Sequence, residues 1–311
     1  MTEATNGKVS EAFAALESGI ESFVTGDDWR AMLARMAKRG RFAFSRFSFM
    51  NQVICWAYRP KSAYIATFNG WKSVGRFPRK GTGFSILRPN IRMVDKLDSN
   101  GNPMYDASGK RQKEKKLVGF LALTVFAYED TDGAEVDFSL PIPQVDNVEV
   151  FENCMGVLRD VALNLDGGKI VSSFEFRARM DSDVHRTASG WYSKQTKGIT
   201  VIDSGNKGED FATAVHELAH AILHPAGEHH SQPEMEVEAE SVSFVVCTAL
   251  GMDCGKASFP YVANWAGKEN PQKAVQASGK RISAAATTIL DAIYASLGQA
   301  TETEEESSAA A

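Results

Sequence analysis

The chain has 311 residues, a formal net charge of -5 and 43% hydrophobic residues, enough for a sizeable core in about two domains. No stretch approaches the roughly 18 consecutive apolar residues of a membrane span, and the N-terminal M-T-E-A-T-N-G-K-V-S lacks the basic start and apolar run of a secretory signal. The cysteines Cys55, Cys154, Cys247 and Cys254 form no C-x-x-C pair, which argues against a cysteine zinc knuckle or a disulfide framework and suggests free thiols in the cytoplasm.

The charge is unevenly spread. Between Arg30 and Lys116 about 20 Lys and Arg face about 4 Asp and Glu, so the remainder holds roughly 14 basic and 35 acidic residues. Such asymmetry marks a nucleic-acid-facing segment and predicts separate units. The expected architecture is α+β in two domains, 9–145 and 146–300, followed by a disordered acidic tail at 301–311.

Phe13, Leu16, Ile20 and Phe23 recur at helical spacing. Thr25 to Asp28 breaks the run, and Asp27 or Asp28 is expected to cap a second helix carrying Trp29, Met32, Leu33 and Met36. From Phe42 to Phe84 the chain interleaves eleven aromatic residues with cations. Arg41, Arg46, Arg59, Lys61, Lys72, Arg76, Arg79, Lys80 and Arg88 are the candidate phosphate contacts. Rings among them could stack on bases, the pattern of single-stranded nucleic-acid sites. Phe49, Trp56 and Trp71 are expected in the core. A short helix at Phe68 to Trp71 leads to a Gly-punctuated loop. Phe84 to Pro89 reads as a strand stopped by the proline. Residues 98–116 read as an exposed hairpin tip or insert, and Leu117 to Tyr128 as a central strand. Phe138 to Val148 reads as an extended linker with the boundary near Val145. A helix over Val150 to Leu165, a strand near Ile170-Val171 and a hairpin over Gly190 to Ile202 complete the approach to the next motif.

That motif is H-E-L-A-H within Ala214 to His224. On a helix, His216 and His220 leave the same face one turn apart, where two nitrogens can take neighbouring corners of a tetrahedral Zn²⁺ site. Glu217 lies between them as a non-ligand general base, the arrangement of zinc metallopeptidases. Mn²⁺ or Co²⁺ could occupy the same donors. A second helix, from Pro233 to Cys247, is acidic at its start and apolar later. Glu238, ahead of the apolar half, is the expected third ligand. Glu234 and Glu240 are the alternatives, and Glu236 fits a solvated helix start. Tyr192 is a candidate oxyanion stabiliser, and His224, His229 and His230 are other nearby candidates for that role.

Several segments together resemble the ArdC-like antirestriction proteins. In the N-terminal half they are F-S-F-M-N-Q, A-T-F-N-G-W-K-S-V-G-R-F-P-R-K-G-T-G-F-S-I-L-R-P and L-T-V-F-A-Y-E-D-T-D-G. In the C-terminal half they are H-E-L-A-H-A-I-L-H, E-x-E-A-E-S-V-x-F-V-V-C, Y-V-A-N-W and R-I-x-x-A-A-x-x-I-L. The likeness runs from about Glu17 to Leu297, and departs from the family where R-K-G-T-G replaces the usual R-K-G-E-K-G. It implies an N-terminal domain that binds single-stranded DNA and a zincin-like metallopeptidase domain. The implied role is protection of mobile-element (plasmid or phage) DNA from host restriction, with a host restriction or DNA-associated protein as possible substrate and no membrane partner. Two other readings stand beside it: a DNA-binding protein with a structural or vestigial zinc site, and a metalloprotease whose basic half docks an acidic protein.

Overall fold

The structure is a computed structural model that describes residues 3–23, 25–138, 140, 147–164, 170–183, 185, 187–225, 230–252, 259–260 and 271–298. The fold is mixed α+β. Eight helices lie among the described residues: α1 (Glu3–Glu21), α2 (Gly26–Met36), α3 (Phe49–Tyr58), α4 (Phe68–Ser73), α5 (Val148–Asn164), α6 (Lys207–Leu223), α7 (Gln232–Ala249) and α8 (Pro271–Ser296). The strands are β1 (Ile65–Ala66), β2 (Phe77–Pro78), β3 (Phe84–Asp95), β4 (Lys113–Ala127), β5 (Thr131–Asp132), β6 (Ser173–Arg177), β7 (Gly190–Ser193) and β8 (Gly198–Ile202). They form three sheets, ordered β1-β4-β3, β2-β5 and β6-β8-β7. No helix among the described residues is long and apolar enough to cross a membrane.

The expected break between the first two helices is present, but Thr25 caps α2. Its hydroxyl accepts from the Asp28 N–H while the Asp28 carboxylate accepts from the Thr25 N–H, a reciprocal capping box. Asp27 and Asp28 fall inside the helix, where acidic groups complement the N-terminal dipole. Trp29, Met32 and Leu33 are fully buried from this helix, as are Val53 and Ile54 from α3. They join Leu218 of α6, Val242 and Val245 of α7, and Ile282 and Ile289 of α8 in one contiguous apolar core. The Trp29 indole N–H donates to Ser241 Oγ of α7 at 3.0 Å. Helices on both sides of the expected domain boundary therefore share a core, and the boundary near Val145 lies outside the described residues. Phe49 and Trp71 are buried as expected, whereas Trp56 is half-buried and packs on the core from outside.

β3 does not stop at Pro89. It runs on to Asp95, paired antiparallel with β4 from Phe84 opposite Val125 to Asp95 opposite Lys113, with a register shift between Pro89 and Ile91. Proline is tolerated because β3 is the edge of its sheet and the irregularity falls at the residue without an N–H. Beyond Pro89 the two strands form a ribbon exposing Ile91, Met93, Leu117 and Val118 among Arg92, Lys113, Lys115 and Lys116. Its exposed tip, expected as a hairpin tip or insert, is held by bridges between Leu97 and Pro103 and between Tyr105 and Arg111.

In the second half, α5 and the β7–β8 hairpin form where expected, and the preceding strand is displaced to Ser173–Arg177. β6 pairs parallel with β8, and β7 antiparallel with it. This leaves β7 at the sheet edge, beside α6.

Candidate metal centre

α6 carries the H-E-L-A-H motif with its direction fixed at the N-terminus. The Asn206 side chain accepts from the N–H groups of Gly208 and Glu209, satisfying donors the helix cannot satisfy itself. Buried Asp210 accepts from the Ser204 hydroxyl at 2.7 Å. Phe211, Ala214, Val215, Leu218 and Ala219 are fully buried, so packing leaves His216 and His220 on the face turned toward α7.

Their Nε2 atoms lie 3.1 Å apart. Glu236 Oε2 of α7 lies 3.5 Å from His216 Nε2 and 3.6 Å from His220 Nε2. Donor atoms held 2.0–2.2 Å from a tetrahedral Zn²⁺ sit roughly 3.3–3.6 Å from one another. The three atoms thus converge on one point, the two nitrogen–oxygen distances within that range and the two nitrogens slightly closer, and the residues present fit a small divalent cation. Among the described residues, His216, His220 and Glu236 form the one such group with all ligand atoms within 4.8 Å of each other.

Glu238, the expected third ligand, is elsewhere. It is fully buried; its Oε2 lies 3.0 Å from His224 Nε2, and its carboxylate accepts from Arg281 of α8. The reason is helix phase. At about 100° per residue, Glu236 and Glu240 share a face while Glu238 points roughly 200° away from Glu236. Glu240 lies 3.4 Å from His216 Nδ1, and Glu234 pairs with Arg281 at 2.8 Å.

The same contacts shift the ionisable groups. Burial lowers the pKa of His216, but hydrogen bonds to Glu236 and Glu240 outweigh it and raise the group to about 9. His220 is pushed down to about 4 by burial and by the neighbouring His216 charge. The hydrogen bond to His216 holds Glu236 below the usual carboxylate range. Burial would raise Glu238, yet hydrogen bonds from His224 and Arg281 bring it down to about 2.

Glu217 is 9% exposed, and burial raises its pKa against the pull of His216 and of the Tyr192 backbone N–H. β7 lies close on this side. A Cβ on Gly190 would come 2.6 Å from Thr213 Cγ2 and 3.0 Å from the Thr200 carbonyl, so glycine is needed for strand and helix to touch. Gly190, Thr213, His216, Glu217, Glu240 and Ser243 line an open pocket of about 240 Å³. Tyr192 contributes its backbone to Glu217, and its side chain does not line this pocket. His224 is fully buried, His230 pairs with Glu234 at 3.5 Å, and His229 lies outside the described residues.

The nine candidate DNA-contacting cations divide by environment. Lys61, Lys72, Lys80 and Arg88 are exposed. Arg46 and Arg88 line a groove of about 460 Å³ with Phe42, Phe47, Thr67 and Asn69. Arg41 donates to Ser73 Oγ at 3.1 Å. Three others serve the fold. Arg59 pairs with Asp130 at 2.7 Å and Arg79 with Asp132 at 2.9 Å. Arg76 is buried, donating to Thr131 Oγ1 and to the carbonyls of Thr131, Gly133 and Ala134 over the Tyr128 ring. The R-K-G-T-G turn and the E-D-T-D-G segment are thus two halves of one ion-paired support. Gly81 takes a φ of +84°, and a Cβ on Gly83 would come 2.6 Å from the Phe126 ring. Most of the rings between Phe42 and Phe84 are buried or half-buried; Phe68 and Phe77 are 46% and 52% exposed.

No protein-family model matches the sequence. The chain is 31% identical over 242 residues to an uncharacterized protein of Bacillus anthracis, a match taking in 71% of this chain and 41% of that protein, so it spans less than half of its relative's length. In three dimensions it is similar to the antirestriction protein ArdC from plasmid R388, with a TM-score of 0.46 and 17% identity over 83% of this chain and 85% of the metal-free crystal structure. Against the Mn(II)-bound structure of the same protein the TM-score is 0.44, at 15% identity over 92% and 98% of the two chains.

Proposed function

We propose that the chain is a metallopeptidase of the H-E-x-x-H type joined to a surface that binds single-stranded DNA, acting in protection of incoming DNA from restriction. The observation that carries the enzymatic part is the convergence of His216 Nε2, His220 Nε2 and Glu236 Oε2 beside a buried, non-ligand Glu217. A structural site needs ligands alone, so a base held next to the ligands favours catalysis over a vestigial site.

Zn²⁺ is the preferred ion for two imidazoles and one carboxylate. Bound there, the ion supplies Lewis acidity toward a peptide carbonyl and acidifies water. Glu217 takes the proton of the attacking water on its carboxylate and returns it to the leaving amine. Its burial favours holding that proton between the two steps. β7 lies at the sheet edge beside Glu217, and its outer backbone side, where the Tyr192 N–H meets the Glu217 carboxylate, is the edge along which an extended peptide pairs.

For DNA, the working set is Lys61, Lys72, Lys80 and Arg88, with Arg46 in the groove and the exposed rings of Phe68 and Phe77 as stacking surfaces. Arg76 acts as an internal support, and Arg59 and Arg79 are held nearer the surface in ion pairs with Asp130 and Asp132. Replacing Lys72, Lys80 and Arg88 with alanine will flatten the salt dependence of single-strand affinity by about 2 in log–log slope, as expected for about three lost phosphate contacts. Arg76→Ala will lower the unfolding midpoint instead, because it leaves buried carbonyls without donors. Fluorescence titrations at two salt concentrations with a single strand, a duplex and an acidic polypeptide test this reading. Equal affinity for the acidic polypeptide would favour a protein-docking surface, and an unchanged slope in the triple variant would remove these cations from the site.

A further inference from the structure

A ligand imidazole uses one ring nitrogen, and the other needs an acceptor that fixes its tautomer and ring plane. For His216 that acceptor is a carboxylate, Glu240 Oε2, at 3.4 Å from Nδ1. For His220 it is another imidazole. His220 Nδ1 lies 3.2 Å from His224 Nδ1. His224 Nε2 in turn lies 3.0 Å from Glu238 Oε2, and both of these residues are fully buried. Arg281 of α8 donates to both oxygens of that carboxylate, and also to Glu234 Oε1 at 2.8 Å and Ser278 Oγ at 3.3 Å.

Hydrogen-bond logic gives this chain a direction. Two facing Nδ1 atoms share one proton, which belongs to either ring. If His224 carried it, a neutral His224 would turn a bare Nε2 lone pair onto the Glu238 carboxylate, setting two acceptors 3.0 Å apart in the core, which is strongly unfavourable; a doubly protonated His224 would instead crowd a second buried cation onto the one carboxylate that Arg281 already holds. If His220 carries it, His224 accepts at Nδ1 and donates its Nε2–H to Glu238, whose charge Arg281 balances. Every group is then satisfied, and the bare Nε2 of His220 faces His216 and Glu236.

We propose that His224, Glu238 and Arg281 are positioning residues that lock His220 in the Nδ1–H tautomer and so hold its Nε2 toward the cation. This rests on the metal-centre reading above. The three carboxylates Glu236, Glu238 and Glu240 of one helix then divide the work: one faces the ion, and the other two orient the two histidines, one directly and one through His224.

The test is long-range ¹H–¹⁵N NMR of the histidine-labelled full chain, with Zn²⁺ as probe. The expected result is zinc-dependent shifts at Nε2 of both His216 and His220, with the protons on His220 Nδ1 and His224 Nε2. Zinc shifts at both ligands with the His224 proton on Nδ1 would overturn the proposal while leaving the metal centre standing; absence of zinc shifts at His216 and His220 would instead overturn the metal centre. A competition titration adds a second readout. His224→Leu should weaken Zn²⁺ binding by about 10–100-fold, the usual cost of losing such a partner. His224→Gln, which can both accept and donate, should recover most of it. Affinity unchanged in His224→Leu would contradict the relay. The wild-type spectrum decides the question even where a variant fails to fold.

Discussion

Glu236→Ala will lose divalent-metal affinity by more than the roughly 10–100-fold that removal of an outer partner costs, whereas its metal-free stability will stay close to that of the parent chain. Glu236 is exposed on the first half of α7 and contributes only its carboxylate to the cluster, so its removal opens no cavity. Glu238→Gln should behave in the opposite way. The side chain is fully buried against Arg281 and His224, and breaking a buried charge pair costs about 3–5 kcal/mol. Its metal affinity should fall no further than the outer-partner range. Denaturant unfolding of the metal-free proteins, with zinc competition titrations of the same samples, reads both quantities. The reverse pattern would return Glu238 to the role its sequence position suggested.

Glu217→Gln will reduce any peptide hydrolysis by about 10²–10⁴-fold, the range associated with a positioned general base, and will leave zinc stoichiometry unchanged. Glutamine keeps the size of the side chain and its contact with β7 but cannot take a proton. The Glu217 stem lies beside Gly190 and its carboxylate accepts from the Tyr192 backbone N–H, so an isosteric replacement should disturb packing little. Proteolysis of bound partner proteins, compared between parent, Glu217→Gln and chelator-treated protein, measures this. If protection of DNA persists unchanged in the variant and no cleavage is seen in the parent, the centre is structural and the DNA-binding reading stands alone.

Much of the candidate site was legible because the signals are local. His216 and His220 are four apart on a helix, and α6 forms because its apolar positions and its Asn206 cap agree. The acidic second helix was legible too, with Ser231 capping it and proline in its first turn. Which of its carboxylates meets the histidines was not legible, because that depends on the rotation of α7 against α6. A carboxylate next to an apolar run looks like a buried ligand, yet Glu238 is buried against Arg281, some forty residues further along the chain. Glu236 is exposed, as its place at the helix start predicts, yet its carboxylate meets the histidines, and nothing in its neighbours tells which way the helix turns.

The basic half shows the same division. Its excess of cations was plain from composition, but the partners of Arg59, Arg76 and Arg79 lie more than fifty residues away, in the E-D-T-D-G segment. The i+3 and i+4 spacing that reveals helical faces carries no information about such distant pairs. Pro89 misled for a related reason: a proline ends a central strand but not an edge strand, and edge position is a property of the assembled sheet.

An anomalous difference map at the zinc edge from crystals of the zinc-loaded chain tests the His216–His220–Glu236 centre directly. One strong peak is expected about 2.0–2.2 Å from His216 Nε2, His220 Nε2 and a Glu236 carboxylate oxygen, with Glu238 still bound to His224 and Arg281. A peak coordinated by Glu238, or no peak between the two histidines, would contradict it.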